Sequence, residues 1–169
     1  MIDPRVTIHR FDCLASTNDE ALRRAAEGAP DRTLMIAERQ TGGRGRRGRP
    51  WASVPGNLHL SLIVDQRAGA AAPGLLALAA GIAAAEACSA FGVAAQLKWP
   101  NDLIVGDAKL GGILIEAAGK GRYVVGIGIN LAHAPAVEGR ASIALSTMAG
   151  AKDCAVEPFL QALVPPLMQ

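Results

Sequence analysis

The residues best suited to chemistry in this sequence fall in two short runs. The first is Gly43-Arg44-Gly45-Arg46-Arg47-Gly48-Arg49-Pro50-Trp51, four arginines among three glycines, closed by a rigid proline and an aromatic. Glycine lets backbone N–H groups approach a ligand closely, and each guanidinium brings fixed positive charge to it. Arginines this close repel one another until an anion lies between them, so the loop is suited to gripping a phosphate or a carboxylate. The second run is Lys98-Trp99-Pro100-Asn101-Asp102. As a plain strand-ending turn it would put Trp99 in the core and use Asp102 to cap local N–H groups. Lys109 follows Asp102 across a predicted hairpin, so the two side chains can pair. Its plainer reading is an exposed lysine at a turn. Held by an aspartate near the arginine loop, it would neutralise a carboxylate attacking a phosphate. The two runs together point to an enzyme that handles a nucleotide.

Other signatures are excluded by context. Gly43-x-Gly45-x-x-Gly48 matches the dinucleotide fingerprint in letters, but that fingerprint must open a helix, and Pro50 and Pro55-Gly56 follow here. Gly119-Lys120 lacks the earlier glycine and the following Ser or Thr of a Walker loop. Gly111-Gly112 and Gly126-Ile-Gly128-Ile-Asn130 put glycines inside apolar strands, where a ligand, a bulge or a neighbouring helix comes close to the backbone. His9, His59 and His133 lack metal-ligand spacing and read as core or surface residues, so no metal site is expected. No Ser-His-Asp or Cys-His arrangement is legible.

These residues need elements to position them. Arg5 to Asp12 reads as a first strand. Ser16-Thr17-Asn18-Asp19-Glu20 starts a helix, with a hydroxyl cap and acids in the first turn, and Gly28 ends it. Thr33 to Glu38 is a strand that delivers the chain into the arginine loop. Asn57 to Val64 alternates, with Leu58, Leu60 and Leu62 on one face and His59 and Ser61 on the other. Pro73 to Phe91 is nearly free of charge and close to membrane-spanning length, but its Ala and Gly content, Glu86 and Ser89 favour a buried helix. A strand from Ala95 to Trp99 follows, then a hairpin of Leu103 to Val105 and Leu110 to Glu116 about Gly106-Asp107. Arg122 to Leu131 is the next strand. His133 to Ala155 is loop-like, and Glu157 to Leu163 is helical, ahead of Pro165-Pro166. No repeat or linker divides residues 1–169, which read as a single mixed α/β domain.

Composition narrows the class further. The chain has 169 residues, half of them hydrophobic, enough for one domain with a core. A net charge of only +2 argues against a general nucleic-acid field, since the basic residues concentrate in one loop. Aromatics at 4% are too few for a stacking surface on single strands. Cys13, Cys88 and Cys154, odd in number and without CxxC spacing, read as reduced cytosolic thiols. The N-terminus lacks the pattern of a signal peptide. The expected location is the cytoplasm.

In order and spacing, Ser16-Thr17-Asn18, Gln40 with Gly43 to Gly48, Lys98 to Asp102, Lys109-Leu-Gly-Gly-Ile-Leu114 and Gly126-Ile-Gly-Ile-Asn-Leu131 resemble biotin protein ligases, a branch of the biotin/lipoate ligase superfamily. The resemblance covers nearly the whole chain. It implies an α+β fold: a mixed, mostly antiparallel sheet flanked by helices, similar to the catalytic core of class II aminoacyl-tRNA synthetases. It also implies activation of biotin with ATP and Mg2+ to biotinyl-5′-AMP, then transfer to a lysine of a biotin carboxyl carrier protein, with no tightly bound cofactor. By position, Ser16, Thr17, Asn18, Gln40, Gly43, Arg44 and Gly45 would serve biotin, with Gly112 and Gly128 leaving room for ligand against the sheet. Arg46, Arg49, Trp51, Lys98, Asn101 and Asn130 would serve the nucleotide, Trp51 lying against adenine. Lys109 would bridge carboxylate and α-phosphate, with Arg46 and Asp102 as its catalytic companions.

Two features set the sequence apart from other members. Bifunctional relatives carry an N-terminal helix-turn-helix, whereas here the catalytic pattern begins within the first twenty residues, so no repressor role or nucleic-acid partner is expected. Most members end in a small SH3-like domain, and this sequence stops where that domain would begin. A lipoate or octanoate ligase or transferase, which would need a longer apolar tunnel, and a biotin-binding remnant without transfer are the alternatives. Many relatives dimerise through a sheet edge, so a homodimer is compatible with the family.

Overall fold

The computed structural model describes residues 4–66, 73–137, 139–148 and 154–169. Strand β1 (Thr7–Leu14) begins later than the sequence pattern suggests, because pairing with β2 (Thr33–Gln40) holds it out to Leu14↔Gln40. Between them the Ser16 hydroxyl accepts the Asp19 N–H at 3.3 Å and starts helix α1 (Thr17–Ala26), with Asp19 and Glu20 in its first turn. Because α1 is a crossover, β1 and β2 run parallel. The other strands are β3 (Leu58–Asp65), β4 (Gln96–Lys98), β5 (Asp102–Val105), β6 (Ala108–Gly119) and β7 (Arg122–Ile129). They complete a seven-stranded sheet in the order β1-β2-β3-β7-β6-β5-β4, antiparallel at every junction but the first. The hairpin about Gly106-Asp107 forms as expected, with Val105 opposite Ala108.

Helices α2 (Pro73–Ala90) and α3 (Val156–Leu167) cover one face of the sheet, and α1 covers part of the other. The period-2 alternation of β3 therefore has two buried sides. Leu58, Leu60 and Leu62 join Phe159, Leu160 and Leu163 in the main core, while His59 and Ser61 are buried on the α1 side. Burying a leucine side chain is worth about 1.5–3 kcal/mol, so β3 anchors the sheet.

Three expectations need correcting here. Helix α3 runs through Pro165 and Pro166 to Leu167 instead of stopping before them. Proline removes only late N–H donors at that point, the Pro165 and Pro166 carbonyls still accept from Met168 and Gln169, and Leu163 and Val164 are held in the core. Trp99 is not in the core but 79% exposed, since the inner face of short β4 belongs to Leu97. Helix α2 is long and apolar enough to span a bilayer by length and composition, with a mean hydropathy of 1.5, yet Ala80, Ala83, Ala84, Ala87 and Cys88 pack it into the main core. It is not wholly buried, however: Leu75, Leu78 and Ile82 face outward.

Candidate active site

The face of the sheet not covered by α2 and α3 carries a cavity of about 1010 Å³ beside α1. Its floor is β3, β6 and β7. Its walls are the start of α1, the end of β2, the arginine loop, the turn at Pro100 to Asp102 and the segment from Pro135 to Ser142.

One end is lined by neutral hydrogen-bonding groups. The Gln40 side-chain Oε1 accepts from the Thr17 backbone N–H at 2.7 Å and from the Thr17 hydroxyl at 3.1 Å. The Ser61 hydroxyl lies 2.8 Å from Thr17 Oγ1 and 2.5 Å from Asn18 Oδ1, and Asn18 donates to Glu116 at 2.7 Å. This network crosses the sheet at Gly126, where a Cβ would sit 2.3 Å from Asn18 Oδ1, so only glycine lets α1 come so close. Arg44 closes this end, paired with Asp19 at 2.6 Å and Glu116 at 3.1 Å. Its hydrogen bond to Asp19, aided by Glu116 and opposed by burial, holds the guanidinium protonated even more firmly than usual.

The other end is ionic. Lys109 Nζ lies 2.8 Å from Asp102, and Arg140 lies 2.7 Å from the other oxygen of the same carboxylate. Burial pushes the Asp102 carboxyl up, but hydrogen bonds from Lys109 and Arg140 outweigh it and hold it below the usual carboxylate range. The backbone fixes this geometry: Lys109 N–H donates to Ala141, and its carbonyl accepts from Ile143. Asn101 donates to the Ile113 carbonyl at 2.8 Å and accepts from Arg46 at 3.4 Å. Asn130 donates to the Ile143 carbonyl.

Trp51 lies between the two ends. Its indole packs on β7 where a Cβ at Gly128 would be 2.6 Å away, and it touches the space beside Gly112. Lys109 Nζ stands 5.3 Å from the ring centroid, a cation–π contact. Trp51 fills the room above Gly112 and Gly128. The indole Nε1 and both ring nitrogens of His59, the residue opposite Gly128 on β3, are buried without a hydrogen-bond partner. Burial lowers the His59 pKa and so favours the neutral ring.

Of the residues singled out in the sequence, Ser16, Thr17, Asn18, Gln40, Arg44, Gly45, Arg46, Arg49, Trp51, Asn101, Asp102, Lys109, Gly112, Gly128 and Asn130 all line the cavity. Two do not. Lys98 is exposed on edge strand β4, outside the cavity lining. Gly43 stands behind the wall, its carbonyl accepting the Trp51 N–H at 2.9 Å. The arginine loop forms a single 3-10 turn, Arg46–Gly48, with Arg47 at φ 59°, and no helix follows, in keeping with the rejected dinucleotide reading. Sequence reasoning missed Glu116, Arg140, Ser61 and His59. Polar residues alternating with leucines on β3, and a lone acid in apolar β6, were signals for three of them; Arg140 gave none. The segment 133–155, read as loop, contributes Arg140 and pairs Ser142 beside Lys109; Glu138 and residues 149–153 lie outside the described residues.

A cavity with neutral hydrogen-bonding groups at one end and paired cations at the other suits an elongated ligand with a polar head and an anionic tail. The sequence profile of the biotin/lipoate A/B protein ligase family matches residues 11–132. A biotin–[acetyl-CoA-carboxylase] ligase of Paracoccus denitrificans is 42% identical over 89% of this chain and 67% of its own length. The bifunctional ligase/repressor BirA of Escherichia coli is 45% identical over 69% of this chain, but the match spans only 38% of that protein. A biotin protein ligase from Leishmania major in complex with biotinyl-5-AMP superposes with a TM-score of 0.86 at 31% identity, covering 99% of this chain and 75% of that one. One from Aquifex aeolicus in complex with biotin and ATP gives 0.79 at 28%, covering 96% and 68%. These superpositions bear out the α+β fold expected from the sequence. On the family profile and the Paracoccus relative together, the chain belongs to the biotin/lipoate A/B protein ligase family.

Proposed function

We propose that this chain activates biotin with MgATP to biotinyl-5′-AMP and transfers the biotinyl group to a lysine of a carboxylase carrier domain. The observation that carries this reading is the Lys109–Asp102–Arg140 cluster at one end of a cavity whose other end offers Thr17, Asn18 and Gln40. The neutral end suits a ureido ring better than the apolar dithiolane of lipoate, because buried polar groups discriminate strongly against a head that cannot pair with them. Biotin, ATP and biotinyl-5-AMP appear with the structural relatives, which supports the same substrates here.

In the first step a carboxylate oxygen attacks the α-phosphorus, the bond to the β-phosphate breaks and pyrophosphate leaves. Two anions must meet, so the barrier is partly electrostatic. Lys109, released from the indole and held by Asp102, stands where it would bridge them, with Arg46 beside Asn101. A fixed donor of this kind supplies about 3–4 kcal/mol of transition-state stabilisation. Arg140 shares Asp102 and so holds the carboxylate in place as ligands enter. In the second step a neutral lysine amine attacks the acyl carbon, AMP leaves and the amine proton passes to solvent. Glycine-hinged closure of the arginine loop keeps water from the mixed anhydride meanwhile. Trp51 must leave the floor for ligand to enter, and it then becomes available to stack on the adenine. We place the reaction in the cytoplasm, where ATP and reduced thiols coexist; none of the three cysteines forms a disulfide.

The test is pyrophosphate release from biotin and MgATP, followed by transfer of labelled biotin to a carrier domain. Release that depends on biotin supports the reading. Release with lipoate alone, or none with either acid, overturns it.

A further inference from the structure

Among the described residues, five large apolar side chains are exposed: Leu75, Leu78, Ile82, Trp99 and Val137. Single exposed leucines mean little, but four of these are grouped. Leu75, Leu78 and Ile82 form one outward stripe of α2, at helical spacing. The tip of the Trp99 ring lies 3.9 Å from the Cβ position of Gly74 at the start of that helix, which joins the indole to the stripe. Trp99 is bonded to Pro100, and Pro100, Asn101 and Asp102 line the cavity. Val137 is itself part of the cavity wall. Trp99 therefore links the outward stripe of α2 to the turn that walls the site. Cations border it: exposed Lys98 precedes Trp99, and Arg46 reaches Asn101 from a loop that also exposes Arg47 and Arg49.

We propose that Trp99 with the Leu75–Leu78–Ile82 stripe is the docking surface for the protein domain that presents the acceptor lysine. That domain meets the surface with apolar groups of its own, flanked by acidic ones. The inference rests on the acyl-transfer reading above. A lysine side chain is short, so the acceptor's backbone must come to the cavity mouth and rest on whatever surface borders it. A tryptophan at the centre of such a surface is the residue type that most often dominates binding energy. The bordering cations select an acidic partner and speed its approach. The same cations argue against a second copy here, because a twofold contact would bring like charges together.

The experiment uses the full chain with Trp99→Ala and Leu78→Asp, both at exposed positions, and the biotin-accepting domain of an acetyl-CoA carboxylase. The expected result is pyrophosphate release within about twofold of the unaltered chain, with the KM for the carrier domain raised about tenfold or more. Transfer to hydroxylamine, a small amine that needs no docking, stays unchanged. Direct titration of the carrier domain without ATP reads the surface independently of adenylation. Affinity lost in both variants supports the docking surface even if the chain proves unable to adenylate biotin, and that failure would count against the activity alone. Carrier KM and affinity within about twofold of the unaltered chain in both variants would overturn the proposal. So would loss of self-association, or of binding to anionic vesicles, with carrier binding intact.

Discussion

The two ends of the cavity are built on opposite principles. The neutral end is a network in which Thr17, Asn18, Gln40 and Ser61 pair with one another over Gly126, and Glu116, Arg44 and Asp19 pair among themselves behind it. The ionic end gathers one carboxylate and two cations, Asp102 with Lys109 and Arg140, from three separate segments. A neutral network recognises shape and hydrogen-bond pattern, and it changes little when ligand arrives. A charge cluster stores electrostatic stabilisation that becomes useful only when new negative charge develops beside it. On the proposed reading, recognition and chemistry are separated along a single cavity, with Trp51 lying over the floor between them.

The strongest way to break this division is Lys109→Ala. It is expected to reduce biotin-dependent pyrophosphate release by about 10²–10³-fold, while biotin binding, measured by titration, survives. Loss of both together would mean that the two ends do not act separately. Gly126→Ala attacks the other end. The new methyl would displace Asn18 and break its bonds to Ser61 and Glu116, costing about 1–3 kcal/mol. Biotin affinity and the thermal midpoint should fall together, and a variant with unaltered biotin affinity would refute the recognition role. Arg46→Ala should let biotinyl-AMP escape, raising its release by about tenfold if one charge-assisted contact is lost; retention equal to that of the unaltered chain would sink the shielding role of the loop.

A smaller effect sharpens the account of the ionic end. Asp102 is held below its usual carboxylate value, so it stabilises the fold at pH values above its unfolded pKa of about 4, and that contribution is lost as pH falls through its lower folded value. The difference in thermal midpoint between the unaltered chain and Asp102→Asn should therefore be largest near neutrality and shrink in acid. A difference independent of pH would mean that packing, not charge, holds the cluster.

Local chemistry was readable in the sequence wherever cause and effect lay close along the chain. Ser16 caps α1 because its hydroxyl reaches an amide three residues on, and a two-residue turn puts Lys109 beside Asp102. What could not be read depends on distant packing. Arg140 lies in a segment with no periodic signal and reaches Asp102 only because residues 141–143 hydrogen-bond to Lys109. Trp99 is the instructive error. A tryptophan next to an apolar strand suggests the core, but Leu97 occupies the inner side of β4 and the core beneath α2 is already filled.

By itself, then, the sequence determined the arginine loop, the helix cap, the hairpin and most of the side chains that chemistry would require, since these follow from short-range sterics, hydrogen bonding and charge. Only the tertiary structure decided that Glu116 and Arg140 complete the site, that Trp51 covers its floor, and that Trp99 links an exposed apolar stripe to the turn that walls it. Those outcomes depend on which surfaces the sheet brings together and which it leaves uncovered, and no spacing along the chain encodes that.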